Sequence, residues 1–196
     1  MKQNRSYLEN AGFTLIELMV TLAIATIIMT AAVPGMNTMI RNNSLATHTN
    51  LLVTDINLAR SESIKRGVRV VLCRSANPDA TTPTCSGSAY TWTTGWLVFA
   101  DANGNASFDS GDTLLRIGKA FSSAITIKTN STSNNNLQYN PNGTTNEGGG
   151  TAIFALCDER NEAYGRQIQV DPRGRPRLIT GTTGDPIPNC VSPTAV

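Results

Sequence analysis

The chain has 196 residues, with 16 Lys and Arg against 14 Asp and Glu, one histidine and four cysteines. That length supports one domain with a real core plus an appendage, and a formal charge of +2 sets aside a protein that is basic throughout. With His48 alone, no Cys-x-x-Cys pair and no Walker-type loop, a zinc hydrolase and a nucleotide-driven enzyme are set aside too, and no cofactor is expected.

Residues 18–40 contain no ionisable side chain. At about 1.5 Å per residue, such a helix can cross a hydrocarbon layer of about 30 Å. Lys2 and Arg5 against Glu9 favour a cytoplasmic N-terminus. The competing reading is a cleaved secretory signal; the length of the apolar run and Glu17 inside its start argue against it. Glu17 is the costly feature. A lone carboxylate in lipid must become neutral or meet a cation, and positions i+3 and i+4 offer only Val20 and Thr21. Either Glu17 rests at the headgroup boundary, or its partner comes from elsewhere; a new α-amino group would serve.

Gly12-Phe13-Thr14-Leu15-Ile16-Glu17-Leu18, after a short basic leader, resembles the prepilin peptidase site of type IV pilins and type II secretion pseudopilins. The resemblance implies removal of residues 1–12 by cleavage between Gly12 and Phe13, and methylation of the Phe13 amine by the same peptidase/N-methyltransferase. It also implies that Glu17 meets the Phe13 amine of a neighbouring subunit during assembly.

Beyond the apolar run, Leu45, Leu52, Ile56, Ala59 and Ser63 form one stripe at helical period. Pro34-Gly35 is expected to kink or locally unwind the helix, and Lys65-Arg66-Gly67 to end it. The helix therefore occupies residues 13–66, with 13–40 as the membrane or filament segment. Residues 67–196 form a β-rich domain with short β-branched runs beginning at Val68, Gly95, Thr113, Ala124, Thr151, Arg166 and Arg177. The fold class is α+β: a long spine helix, half transmembrane and half amphipathic, on antiparallel sheet in one or two layers. From Val68 onward the chain is similar to the GspH/FimT class of minor pilins and pseudopilins. Gly95-Trp96-Leu97-Val98-Phe99-Ala100-Asp101, continuing through Asp109 and Asp112 to Leu115-Arg116, carries that similarity.

The four cysteines allow three pairings in an oxidising compartment; Cys73 with Cys85 and Cys157 with Cys190 are the expected ones. A catalytic thiol lacks a base, and no enzyme is expected. Asp101, Asn103, Asn105, Asp109 and Asp112 fall at calcium-loop positions. However, Ala106 stands where glycine is wanted, the last ligand is the shorter aspartate, and strands flank the segment. A hairpin connection whose Asn and Asp bond their own backbone accounts for the same residues. Residues 129–150, rich in Thr, Ser, Asn and Gly, are expected to be a mobile surface loop.

Asp171-Pro172-Arg173-Gly174 has type I turn chemistry, and Arg175-Pro176-Arg177 follows directly. Pro172, Gly174 and Pro176 shape the turn. Arg173, Arg175 and Arg177, with Arg166 adding to the local charge, form a basic cluster that can bind phosphate oxygens or merely solvate a hairpin tip. The Gly-Arg-x-Arg element at Gly174 resembles the DNA-contacting element of FimT-type minor pilins, which implies double-stranded DNA as a partner during natural transformation, with Arg175 and Arg177 as the primary phosphate contacts and Arg173 as a helper.

Three functions follow. The first is a FimT-like minor pilin that binds DNA without sequence preference. The others are a tip or priming minor pilin and an H-type secretion pseudopilin. All three share other pilins or pseudopilins as partners, and all reside in the inner membrane with the domain periplasmic before assembly.

Overall fold

The computed structural model describes residues 12–87, 91–119, 125–130, 135–146, 148–160 and 162–182. The chain divides into two compact units, Met1–Ile40 and Arg41–Val196. One helix, α1 (Leu15–Arg66), contributes to both. Its start has a local cause: the Glu17 N–H donates to Thr14 Oγ1 at 3.2 Å, so Thr14 caps the first turn. The spacing Thr14-Leu15-Ile16-Glu17 is that of a capping box, and the acid complements the helix dipole. Its end has one too: Gly67 takes φ +65° and donates to the Ser63 carbonyl at 3.0 Å, behind the basic last turn Lys65-Arg66. Helical structure continues through Pro34-Gly35, so the kink expected there is a bend rather than an unwound stretch.

In the first unit the large apolar side chains that are described are exposed, Phe13 before the helix and, in α1, Leu15 to Met29 and Met36 to Ile40. Thr21, Thr26 and Thr30 turn their hydroxyls back onto the carbonyls of Leu18, Leu22 and Ile27, so these three hydroxyls are satisfied by the helix itself. Among the described residues no single helix is long and apolar enough to cross a membrane; the bent pair Leu15–Thr30 and Gly35–Arg66 passes by length and composition together.

The second unit holds two four-stranded antiparallel sheets. The strands are β1 (Arg69–Arg74), β2 (Gly95–Asp101), β3 (Thr113–Lys119), β4 (Ile125–Thr129), β5 (Asn136–Tyr139), β6 (Ala152–Asp158), β7 (Arg166–Val170) and β8 (Pro176–Thr180). Their orders are β3-β2-β1-β5 and β4-β6-β7-β8. Leu45, Leu52, Ile56 and Ala59 of α1 join buried residues of both sheets, among them Val70, Trp96, Ile127, Tyr139, Phe154 and Ile168, in one core. The stripe at helical period is thus the face that holds the domain together. A second core, Val71, Cys73, Leu97 and Phe99, lies on the other face of the first sheet and is capped by Ala106 and Phe108. Cys73 and Cys85 form a disulfide next to it.

Part of the expected mobile loop is ordered. Within residues 129–150, β5 pairs with β1, Leu137 opposite Leu72 and Tyr139 opposite Val70, and both β5 side chains are fully buried. Two alternating apolar residues opposite an open strand edge outweigh the polar composition around them.

Candidate functional site: the helix start and the arginine turn

At the N-terminus, Gly12, Phe13 and Thr14 precede the helix as exposed chain without regular secondary structure, with Phe13 82% exposed. Glu17 lies one turn further on, also exposed, and among the described residues no cation stands within ion-pair distance of it. An exposed aromatic residue just before the helix and an acid without an ion-pair partner in its first turn thus stand at the start of an apolar helix.

The arginine turn is held from three sides. Gly174 N donates to Asp171 O at 2.8 Å, closing the β-turn, and Arg175 N donates to Asp171 Oδ1 at 3.0 Å. From the loop after β5, Thr145 N donates to Pro172 O at 3.0 Å, and from the last residue of β5 Tyr139 Oη donates to Gly174 O at 3.2 Å. From α1, Arg60 reaches the Arg173 carbonyl at 3.2 Å. Gly174 has φ +78°, and a Cβ there would lie 2.2 Å from the Gly143 carbonyl oxygen; glycine is required by conformation and by space. The tip is therefore a locked backbone, whereas Arg173, Arg175 and Arg177 stay exposed.

Charge pairing leaves these residues open, as it does Arg60, Lys128 and Arg166. Among the described residues, seven ion pairs engage Arg41, Lys65, Arg66, Arg69, Arg116, Lys119 and Arg160. Among the described residues, none engages Arg173, Arg175 or Arg177. Arg166 does not join them. It pairs with Thr180 in the register of β7 and β8, at the end of the hairpin away from the turn, while Arg177 pairs with Gln169. Side chains alternate along a strand, so Arg166 and Gln169 point to opposite faces, and Arg177 shares the face of Gln169.

Residues 48–174 match the family described as type II transport protein GspH, and residues 9–33 match the prokaryotic N-terminal methylation motif. The chain belongs to the GspH family. Among solved structures it is similar to the type IV minor pilin FimU of Pseudomonas aeruginosa in two crystal forms. In the first the identity is 20%, the TM-score 0.56 and the coverage 76% of this chain and 97% of that one. In the second they are 21%, 0.52, 69% and 92%. At these identities the likeness shows the fold, a pilin-like long helix on antiparallel sheet. No curated protein matches at a significant level. The chain is thus a GspH-family protein with a pilin-like fold. The methylation motif covers Gly12, Phe13 and Glu17, while the GspH match stops at Gly174, so Arg175 and Arg177 lie beyond the matched residues.

The acidic loop of this GspH domain turns its charge inward. Asp101 accepts N–H bonds from Gly104, Asn105 and Ala106; Asp112 accepts from Ala102 and Asp109. Ala106 takes φ +60°, the left-handed conformation glycine would supply. The Asn103 and Asn105 amides and the Gly111 N–H all donate to Asp109 and hold its carboxyl below the usual carboxylate range. Phe108 packs on Phe99 with ring centroids 5.3 Å apart. Among the described residues, no group of three or more His, Cys, Asp or Glu gathers as a metal site. The loop is organised by its own hydrogen bonds and serves as a lid on the second core. Of the expected disulfides, Cys73–Cys85 is formed, with an S–S distance of 2.03 Å. The pairing of Cys157 with Cys190 lies outside the described residues at Cys190.

One polar cluster escaped the sequence reading. Asp55, fully buried on α1, accepts the Trp96 indole N–H at 2.9 Å and lies 2.7 Å from Arg116 Nε. Burial pushes its carboxyl above the ordinary range, and the indole and guanidinium pull it back. Its signal was available: Asp55 stands between Leu52 and Ala59 at steps of three and four, on the core face of the GspH spine helix.

Proposed function

We propose that the chain is a non-catalytic subunit of a type IV pilin-type filament, a minor pilin or an H-type secretion pseudopilin. It enters the inner membrane with its N-terminus cytoplasmic and its β domain periplasmic. A prepilin peptidase/N-methyltransferase removes residues 1–12 and methylates Phe13, and the apolar helix then leaves the lipid for the filament core. There Glu17 pairs with the Phe13 amine of a neighbouring pilin. The observation that carries the reading is an apolar helical segment whose large apolar side chains are exposed wherever they are described, and whose one acid has no ion-pair partner among the described residues. A carboxylate in that setting is costly until a cation meets it. The family description favours the secretion pseudopilus; the fold likeness to a minor pilin favours the pilus. In either machine, mass spectrometry of the subunit recovered from sheared filaments is expected to find Phe13 as the first residue, carrying one methyl group. An unprocessed chain beginning at Met1 in those filaments contradicts the reading.

A second reading, double-stranded DNA binding for uptake in transformation, is supported by one observation: three exposed arginines without ion pairs on a backbone locked at a single turn. Guanidinium groups fit phosphate oxygens, and nothing beside them reads base edges. Anisotropy titration of the full chain in detergent with a fluorescent duplex is expected to give weak, sequence-independent binding. Three phosphate contacts imply a log–log salt slope of about −3. Converting Arg175 and Arg177 together to glutamine should flatten that slope by about 2. Equal binding by the double variant removes the turn as the site.

A further inference from the structure

Arg60 is unlike the other arginines of α1. Arg41 and Arg66 lie against carboxylates, Glu159 and Glu62. Arg60 instead donates from Nε to the Gly143 carbonyl at 3.1 Å and from Nη2 to the Arg173 carbonyl at 3.2 Å. Those carbonyls belong to two separate turns. Gly143 N donates to Asn140 O, and Gly174 N donates to Asp171 O, each at 2.8 Å. One planar fork thus ties both turns to the spine helix, a task that a point cation cannot perform. The turns also meet directly, since the Gly143 carbonyl occupies the space where Gly174 would carry a Cβ. Carbonyl acceptors leave the charge of Arg60 uncancelled, so it adds to the field of the arginines beside it.

We infer that Arg60 is the positioning residue of the arginine turn: by holding the carbonyls of Gly143 and Arg173 it fixes where Arg173, Arg175 and Arg177 present their guanidinium groups. The consequence for binding rests on the phosphate-binding reading of that turn; the tie itself is measurable without a ligand.

The test is Arg60→Lys in the full chain in detergent micelles, which keeps the charge and loses the fork. Hydrogen exchange read by mass spectrometry is expected to quicken by about tenfold in segments 140–146 and 171–175 and to stay unchanged in β6 and β7, the scale of one lost hydrogen bond acting locally. Affinity for a fluorescent duplex should fall by about fivefold to tenfold with the salt slope unchanged. If the lysine variant matches wild type in exchange, Arg60 contributes charge alone and the inference is overturned. Faster exchange throughout the domain overturns it as well, because Arg60 then merely holds the fold. If wild type does not bind the duplex while Arg60→Lys loosens the two turns alone, the positioning role stands and the phosphate reading falls.

Discussion

The helix before Arg41 and the helix after it answer the same solvation problem in opposite ways. After Arg41, the residues at core spacing are buried, with Leu52, Ile56 and Ala59 fully enclosed. Even the acid on that face, Asp55, has an indole and a guanidinium waiting for it. Before Arg41, side chains as large as Ile27 and Met29 stay more than half exposed, and the acid, Glu17, has no such partners. One half of the helix is covered by its own chain; the other half is exposed, and on the function proposed above lipid and then neighbouring subunits cover it. The two acids show this most plainly: a buried carboxylate with local partners builds a domain, while an apolar-segment carboxylate without them calls for a second molecule.

The largest separation between the halves is expected in stability. Leu52→Ala should destabilise the domain by about 2–5 kcal/mol through the cavity it leaves, whereas Ile24→Ala should change unfolding by less than about 0.5 kcal/mol. Denaturant unfolding in detergent, followed by fluorescence of the buried Trp92 and Trp96, reads both. A comparable loss for the two variants would erase the distinction.

The contrast extends to two charged loops of the domain. The acidic loop uses its carboxylates to bond its own backbone; the arginine turn fixes its backbone by other means and leaves its charges open. Gly174→Ala sharpens this contrast. The left-handed φ and the 2.2 Å approach to the Gly143 oxygen should cost roughly 2–4 kcal/mol, seen in the same unfolding experiment. A neutral effect would mean that the turn is not locked against the loop after β5.

Much of this was legible in the sequence, for physical reasons that can be named. The spine stripe was visible because a helix repeats its buried face every three to four residues, and Leu45, Leu52, Ile56, Ala59 and Ser63 do so. Seven of the eight strands were visible as β-branched runs; β5 was not, because Asn136-Leu137-Gln138-Tyr139 carries two apolar residues in a polar stretch and depends on its pairing with β1. The turn at Gly174 was visible from its Asp-Pro-Arg-Gly chemistry. The grip on it by Tyr139, Thr145 and Arg60 was not, since those partners are brought together only by the tertiary fold. Arg166 looked like a neighbour of Arg177 by sequence, but strand alternation puts it on the other face. Asp55 was overlooked although its position on the stripe marked it, because its partners Trp96 and Arg116 lie far along the chain.

On the function proposed above, the uncovered half of the helix is an assembly element. Glu17→Ala tests that most directly, by immunoblot of membrane and sheared-filament fractions prepared side by side from cells expressing it or the wild type. The variant is expected at wild-type level in the inner membrane and at background in the filaments. Equal recovery of the two proteins in the filament fraction would contradict the pairing of Glu17 with a neighbouring subunit.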